Sequence, residues 1–74
     1  MSKFGVVLFH TSSSAMQAEA LLSRAGLAAK LIPTPRELSS DCGLSLRFDW
    51  SLHEQVESLL KKTRVEMAGI HALS

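Results

Sequence analysis

Strand-like and helix-like hydrophobic periodicities alternate along this chain, and that alternation limits the folds open to it. An apolar run near the start, rich in β-branched residues, is typical of a central strand. Leu44, Leu46 and Phe48 alternate with polar residues, as in a half-buried strand. The predicted elements are a strand over 4–9, a helix over 15–25, a strand over 28–32, a strand opened by Cys42 and Gly43, a helix after Ser51, and a strand over 65–70.

Local signals set the predicted ends of the two helices. Ser14 with Gln17, and Ser51 with Glu54, have the spacing of capping boxes, so each serine is expected to begin a helix. Gly26 is expected just past the end of the first helix, where a left-handed residue is needed. The order is therefore βαββαβ.

This order predicts an α+β fold, the ferredoxin-like sandwich. Two right-handed crossovers would give a four-stranded antiparallel sheet in the order 4-1-3-2, with both helices on one face. The whole chain, 1–74, is expected to form a single domain. A domain this small has a thin core, so any chemistry is expected on a loop or rim, or to be completed by a partner.

Composition removes several classes of function. The formal net charge of +1 argues against nucleic-acid binding by bulk electrostatics. A single cysteine excludes an internal disulfide and a cysteine-rich zinc site, and it points to a reducing, cytoplasmic compartment. Neither a signal-peptide layout nor an apolar run long enough for a membrane span is visible. No cofactor, resident metal or membrane contact is expected.

The predicted topology brings separate segments around Cys42. Residues 10–14, 36–43 and 61–64 are expected to share one rim of the sheet. A thiolate is favoured by helix N-termini and nearby cations, which Ser14, Arg36 and Arg64 would supply, while Glu37 opposes them. Cys42 also has the same parity as Leu44, and free cysteine is often buried. The residues alone therefore leave open whether Cys42 is reactive or an inert part of the core.

The loop before the third strand carries a family resemblance. Pro33-Thr-Pro-Arg36-Glu-Leu-Ser-Ser40-Asp-Cys42-Gly43 has the pattern P-x-P-R-x-x-S-x-x-C-G. This pattern resembles a family of small bacterial selenium/sulfur carrier-like proteins, formerly a domain of unknown function, and the likeness extends over about residues 4–70. The resemblance implies that the chain is a carrier rather than a stand-alone enzyme, with terminal sulfur or selenium held on Cys42 as a persulfide or selenopersulfide.

The carrier hypothesis assigns further residues and partners. A cysteine desulfurase or another donor would load Cys42, and an acceptor enzyme would unload it. The residues expected to bind the charged group are Arg36, Ser39, Ser40, Gly43, Ser13 and Ser14.

Two other hypotheses remain open. One is a non-catalytic interaction module, a small homodimer formed through the open sheet face, to which Val7, Phe9 and Ile70 are expected to point. The other is a thiol redox sensor in which Cys42 pairs between chains. His10 is expected on the same rim as Cys42, more as a hydrogen-bonded strand-end residue than as a metal ligand.

Overall fold

Four strands and two helices make up the structure, a computed structural model that describes residues 3–38 and 43–73. A 3₁₀ turn over Trp50–Leu52 precedes the second helix. The elements in chain order are β1 (Phe4–Leu8), α1 (Ser12–Arg24), β2 (Ala29–Pro33), β3 (Leu44–Asp49), α2 (His53–Lys62) and β4 (Gly69–Leu73). Within those residues, no helix has the length and apolarity that a membrane crossing requires.

The sheet has the predicted order and direction. Its strands follow one another as β2-β3-β1-β4, which is 4-1-3-2 read from the other edge. All three pairings are antiparallel. The α+β class, the βαββαβ order and the four-stranded antiparallel sheet are therefore confirmed.

Both helices cover the same face of the sheet. The central strands contribute Val7, Leu46 and Phe48 to the core, all with 2% exposure or less. Facing them, the helices contribute small and branched side chains at helical spacing, which lets two layers approach closely. The helix residues of the core are Ala15, Ala18, Leu22, Val56 and Leu60.

The prediction that Val7, Phe9 and Ile70 point to the open face is wrong. Val7 lies opposite both Leu46 and Ile70, and residues opposite one another in antiparallel strands share a face. Val7 and Phe9 are fully buried in the helix-covered core, and Ile70 contacts it. β1 is apolar on both faces, so its own sequence could not decide which side the helices would cover.

Both capping predictions are wrong, because Thr11 caps α1, and α2 follows a 3₁₀ turn and has no side-chain cap of its own. Thr11 is extended, and its side chain accepts a hydrogen bond from the N–H of Ser14, so α1 begins at Ser12. Asp49 accepts from the N–H of Ser51 at 3.0 Å and begins the 3₁₀ turn. Ser51 therefore lies inside that turn.

The end of α1 follows the prediction. Gly26 has a φ of +77°, the left-handed conformation that favours glycine. The N–H of Gly26 donates to the carbonyl of Ser23, and the N–H of Leu27 donates to that of Leu22. These two bonds form a Schellman motif, which satisfies carbonyls that the helix leaves without partners.

The last strand lies further along the chain than the prediction of 65–70. α2 ends in a second Schellman motif, with Arg64 at a φ of +59° and the N–H of Val65 donating to the carbonyl of Leu60. Val65 is buried, but it belongs to the connection rather than to the sheet. Pairing with β1 begins at Gly69, after the N–H of Ala68 donates to the carbonyl of Leu8.

Candidate functional site

The elements that were predicted to meet near Cys42 have their ends at one rim of the sheet. Leu8, at the end of β1, lies opposite Ser45 on β3 and Gly69 on β4. Pro33, at the end of β2, lies opposite Leu44. α1 begins at this edge and α2 ends there, because each adjoins a strand end. We call residues 10–14, 34–38, 43 and 61–64 the β3 rim.

Three of the predicted site residues, Cys42, Ser39 and Ser40, lie outside the described residues. The structure describes the residues at both ends of this segment, 34–38 and 43. Gly43 directly follows Cys42 in the chain and is the described residue next to it.

The ends of this loop are tied together by hydrogen bonds. The N–H of Thr34 donates to the carbonyl of Gly43 at 2.9 Å. The hydroxyls of Thr34 and Ser45 share a hydrogen bond at 2.8 Å, and Ser45 is fully buried. The two described ends of the segment between Thr34 and Gly43 are therefore held together at the edge of the sheet.

A turn within this loop places Arg36 in solvent. The N–H of Leu38 donates to the carbonyl of Pro35 at 3.0 Å, which closes a turn around Arg36 and Glu37. Both charged side chains are exposed, and Leu38 is half-buried. The cation that was expected to bind an anionic group is thus exposed, and the next residue in the chain is the carboxylate Glu37.

Gly43 lies in open space. It is exposed, and a Cβ built on it would meet no atom within 4 Å apart from those of its two neighbours in the chain. Leu44, one residue later, is half-buried and contacts the core. The chain therefore passes from solvent to core between Gly43 and Leu44, immediately after Cys42.

The N-terminus of α1 differs from the arrangement predicted for anion binding. The N–H of Ser14 donates to the hydroxyl of Thr11 at 3.2 Å, and the N–H of Ala15 donates to the Thr11 carbonyl. These two amides are therefore occupied. Ser13 is exposed at the second helical position, where backbone N–H groups have no partner within the helix.

The other side of the β3 rim is basic. Lys61, Lys62 and Arg64 are exposed at the end of α2. Lys61 is 3.9 Å from Glu57, one turn earlier, a contact of exposed side chains that contributes little. The positive charge at this helix end also suits the negative end of the helix dipole, so it has a structural role of its own.

Sequence reasoning missed the hydroxyl pair of Thr34 and Ser45. Ser45 looked like a solvent-facing residue of an alternating strand, but it is fully buried. The signal was present in Thr34, a hydrogen-bonding residue between two prolines at the end of β2. A buried hydroxyl requires a partner, and the residue at the strand end supplies one.

The described residues give no sign of a metal centre. Over 3–38 and 43–73, no three His, Cys, Asp or Glu side chains are grouped to hold an ion. His10 is exposed on the β3 rim. His53 lies against Trp50, with ring centroids 4.4 Å apart and its Nδ1 at 2.8 Å from the Trp50 carbonyl.

A comparison with known protein families gives a match over almost the whole chain. The model of the family described as "Putative Se/S carrier protein-like" matches residues 4–72. The chain belongs to this family. No curated protein and no solved structure shows significant similarity to it. As a carrier-like family member, the chain has its single cysteine inside the matched region, in the loop between β2 and β3.

Proposed function

We propose that this chain carries terminal sulfur or selenium on Cys42. The observation that supports the proposal most is that a carrier-like family member has only one cysteine. A thiol-bound cargo therefore has one possible position. That position adjoins Gly43, where the backbone is exposed.

The loading step needs no outside oxidant. A cysteine desulfurase would hold sulfur as a persulfide on its own cysteine. The Cys42 thiolate attacks the terminal sulfur, the sulfur–sulfur bond of the donor breaks, and the donor thiolate leaves and takes up the proton released by Cys42. The product is a Cys42 persulfide, or the selenopersulfide when selenium is transferred. Oxidation states balance, because one persulfide replaces another.

Unloading follows from the absence of a second thiol. The sequence has no other cysteine to attack the Cys42 persulfide, so an internal disulfide cannot form. The cargo must leave by attack from an acceptor enzyme. The chain therefore acts between two partners and is not itself an enzyme, and we propose that it does so in the cytoplasm.

We further propose that the β3 rim holds the charged cargo. Arg36 is an exposed cation six positions before Cys42, and a negatively charged persulfide is favoured by such a group. Ser39, Ser40 and Ser13 would donate hydroxyl hydrogen bonds, and Gly43 would leave the cargo accessible. For Ser14, the hydroxyl is the group to test, since its N–H is occupied by Thr11.

Intact mass spectrometry tests the carrier proposal. The purified chain is incubated with a cysteine desulfurase and either cysteine or selenocysteine, without reductant. We expect a gain of one sulfur or one selenium atom, lost on treatment with dithiothreitol. Cys42→Ser should gain neither, and Ser23→Ala, altered on the far end of α1, should load like the natural chain. Absence of a Cys42-dependent adduct would contradict the proposal.

The same samples separate the remaining hypotheses. A redox sensor would form a Cys42-linked dimer on oxidation, visible on a non-reducing gel. An interaction module would form a homodimer that survives Cys42→Ser, visible by size-exclusion chromatography.

A further inference from the structure

The face of the sheet opposite the helices carries a cross-strand row of four residues, which we call the basic row: Lys30 and Arg47 are its cations, and Val6 within it is buried. Lys30 lies opposite Arg47, Arg47 opposite Val6, and Val6 opposite His71, so the row crosses β2, β3, β1 and β4 in turn. Residues opposite one another share a face, and Val7 fixes the other face as the one under the helices. We call this side, residues 4, 6, 8, 30, 32, 45, 47, 49, 71 and 73, the open face.

Lys30 and Arg47 form an unfavourable pair. Like charges directly opposite in neighbouring strands destabilise a sheet. Among the described residues, neither cation forms an ion pair with a carboxylate, and Asp49, on the same face, accepts from the Ser51 N–H instead. β2 is an edge strand, where an exposed Lys also discourages pairing with another strand. Edge protection accounts for a charge at position 30, but it does not account for the Arg47 side chain opposite it on the interior strand β3.

The open face also carries apolar side chains. Phe4 is 41% exposed, and the Arg47 guanidinium lies 4.7 Å from the centre of its ring. Ile32 and Leu73 are half-buried on the same face. Arginine beside an exposed aromatic ring, with aliphatic side chains around them, is the composition of the centre of a protein–protein interface.

The area and charge of the open face indicate which kind of partner binds there. Strands of five or six residues, about 3.3 Å per residue and about 4.8 Å apart, give a face of roughly 300 Å². A stable dimer buries about 800 Å² on each partner. A second copy would also bring another Lys30 and Arg47 to the same small area. Nucleic-acid affinity grows with the number of phosphates neutralised, and two cations neutralise few.

We infer that the open face is a transient docking surface for an acidic protein partner. Carboxylates of the partner would lie over Lys30 and Arg47, relieving their repulsion, while an apolar side chain contacts Phe4. The contact is small, so the complex forms and separates quickly, as a carrier requires. The inference rests on the proposed function only in taking that partner to be the donor or acceptor enzyme.

Binding of a defined acidic peptide tests this inference. The probe is a synthetic peptide of glutamates interrupted by leucines, titrated into ¹⁵N-labelled Cys42→Ser and followed by NMR. We expect changes in the amide signals of β1, β2 and β3 around the basic row. Lys30→Glu should weaken binding roughly tenfold. Arg24→Glu, the same charge change at the end of α1, should alter it by less than about twofold.

Several results would overturn the inference. These are no binding, signal changes confined to the helices, or equal losses from Lys30→Glu and Arg24→Glu. Tighter binding of a single-stranded oligonucleotide of equal charge would identify a nucleic-acid surface instead. Shifts of the open-face signals on concentrating the chain alone would identify a second copy as the occupant.

The result is independent of the carrier test. Cys42→Ser has no thiol and cannot be loaded, so failure of Cys42 to carry sulfur leaves the peptide titration unchanged. Failure of the titration likewise leaves the mass-spectrometric adduct unaffected. The NMR spectrum of Lys30→Glu shows whether that variant is folded, before its affinity is compared.

Discussion

At the scale of single residues, the two glycines at positions 5 and 43 have opposite surroundings. A Cβ on Gly5 would lie 2.6 Å from ring atoms of both Phe48 and Trp50, closer than real contacts allow. A Cβ on Gly43 would meet nothing within 4 Å. Gly5 lets aromatic rings cover the strand backbone, whereas Gly43 has open space where a side chain would be.

These surroundings predict different effects of the same substitution. Gly5→Ala should destabilise the fold by about 1–3 kcal/mol, because the rings of Phe48 and Trp50 must move to accept the methyl group. Gly43→Ala is the matched control and should leave the midpoint of thermal unfolding nearly unchanged. Circular dichroism melts of the two variants measure the difference, and equal melting temperatures would contradict this account of Gly5.

At the scale of elements, the structure assigns the start of α1 to Thr11. Thr11→Ala removes the side chain that accepts from the Ser14 N–H, and should cost about 1 kcal/mol in the free energy of unfolding. Ser14→Ala should cost less, because its backbone N–H and the Thr11 cap both remain. Urea unfolding of both variants tests the assignment. A larger loss from Ser14→Ala would restore the capping box predicted from the sequence.

The start of the segment leading into α2 depends on pH through Asp49. The backbone N–H and then the hydroxyl of Ser51 donate to its carboxylate, and they lower the pKa of Asp49 below its ordinary value of 3.8. The folded state therefore favours the charged form. This contribution to stability is present above the unfolded pKa and is lost as the pH falls through the depressed folded value.

Asp49→Asn isolates this effect. The amide oxygen can still accept from the Ser51 N–H, but it does not titrate. We expect the melting temperature of the natural chain to fall more steeply than that of Asp49→Asn as the pH is lowered from about 5 to 2. Parallel curves over that range would show that Asp49 does not contribute.

The sequence predicted element types better than element ends, for specific reasons. Four hydroxyl residues in succession, Thr11 to Ser14, can each cap a helix, so composition alone did not choose among them. Val65 and Met67 alternate like a strand, yet they contact the core from a connection. The rim was predictable because the order of elements fixes which ends meet. The surroundings of Cys42 depend on loop conformation, which no periodicity reports.

At the scale of the whole molecule, the two faces of the sheet serve different purposes. The helix-covered face holds the core, and on the open face Lys30 lies directly opposite Arg47. Like charges at such positions are unfavourable for a sheet, so we attribute this pair to recognition rather than to folding. A residue can therefore be unfavourable for the fold and favourable for recognition at once.

Lys30→Glu separates these two contributions. It places an acidic residue directly opposite Arg47, so we expect the free energy of unfolding to rise by about 0.2–1 kcal/mol. Lys30→Gln, which removes the repulsion without adding attraction, should fall between the natural chain and Lys30→Glu. Chemical unfolding of the three proteins measures the order. A loss of stability in Lys30→Glu would show that Lys30 supports the fold.

The hydrogen bond between Thr34 and Gly43 fixes the two ends of the segment 35–42 in place, whatever residues lie between them. Both ends of the segment are fixed at the edge of the sheet, and doubling the length of such a connection costs only about 0.6 kcal/mol in closure entropy. Substitutions in this segment are therefore expected to leave the sheet beneath it intact. Changing its seven residues other than Cys42 is thus a route to altering what the cysteine reacts with.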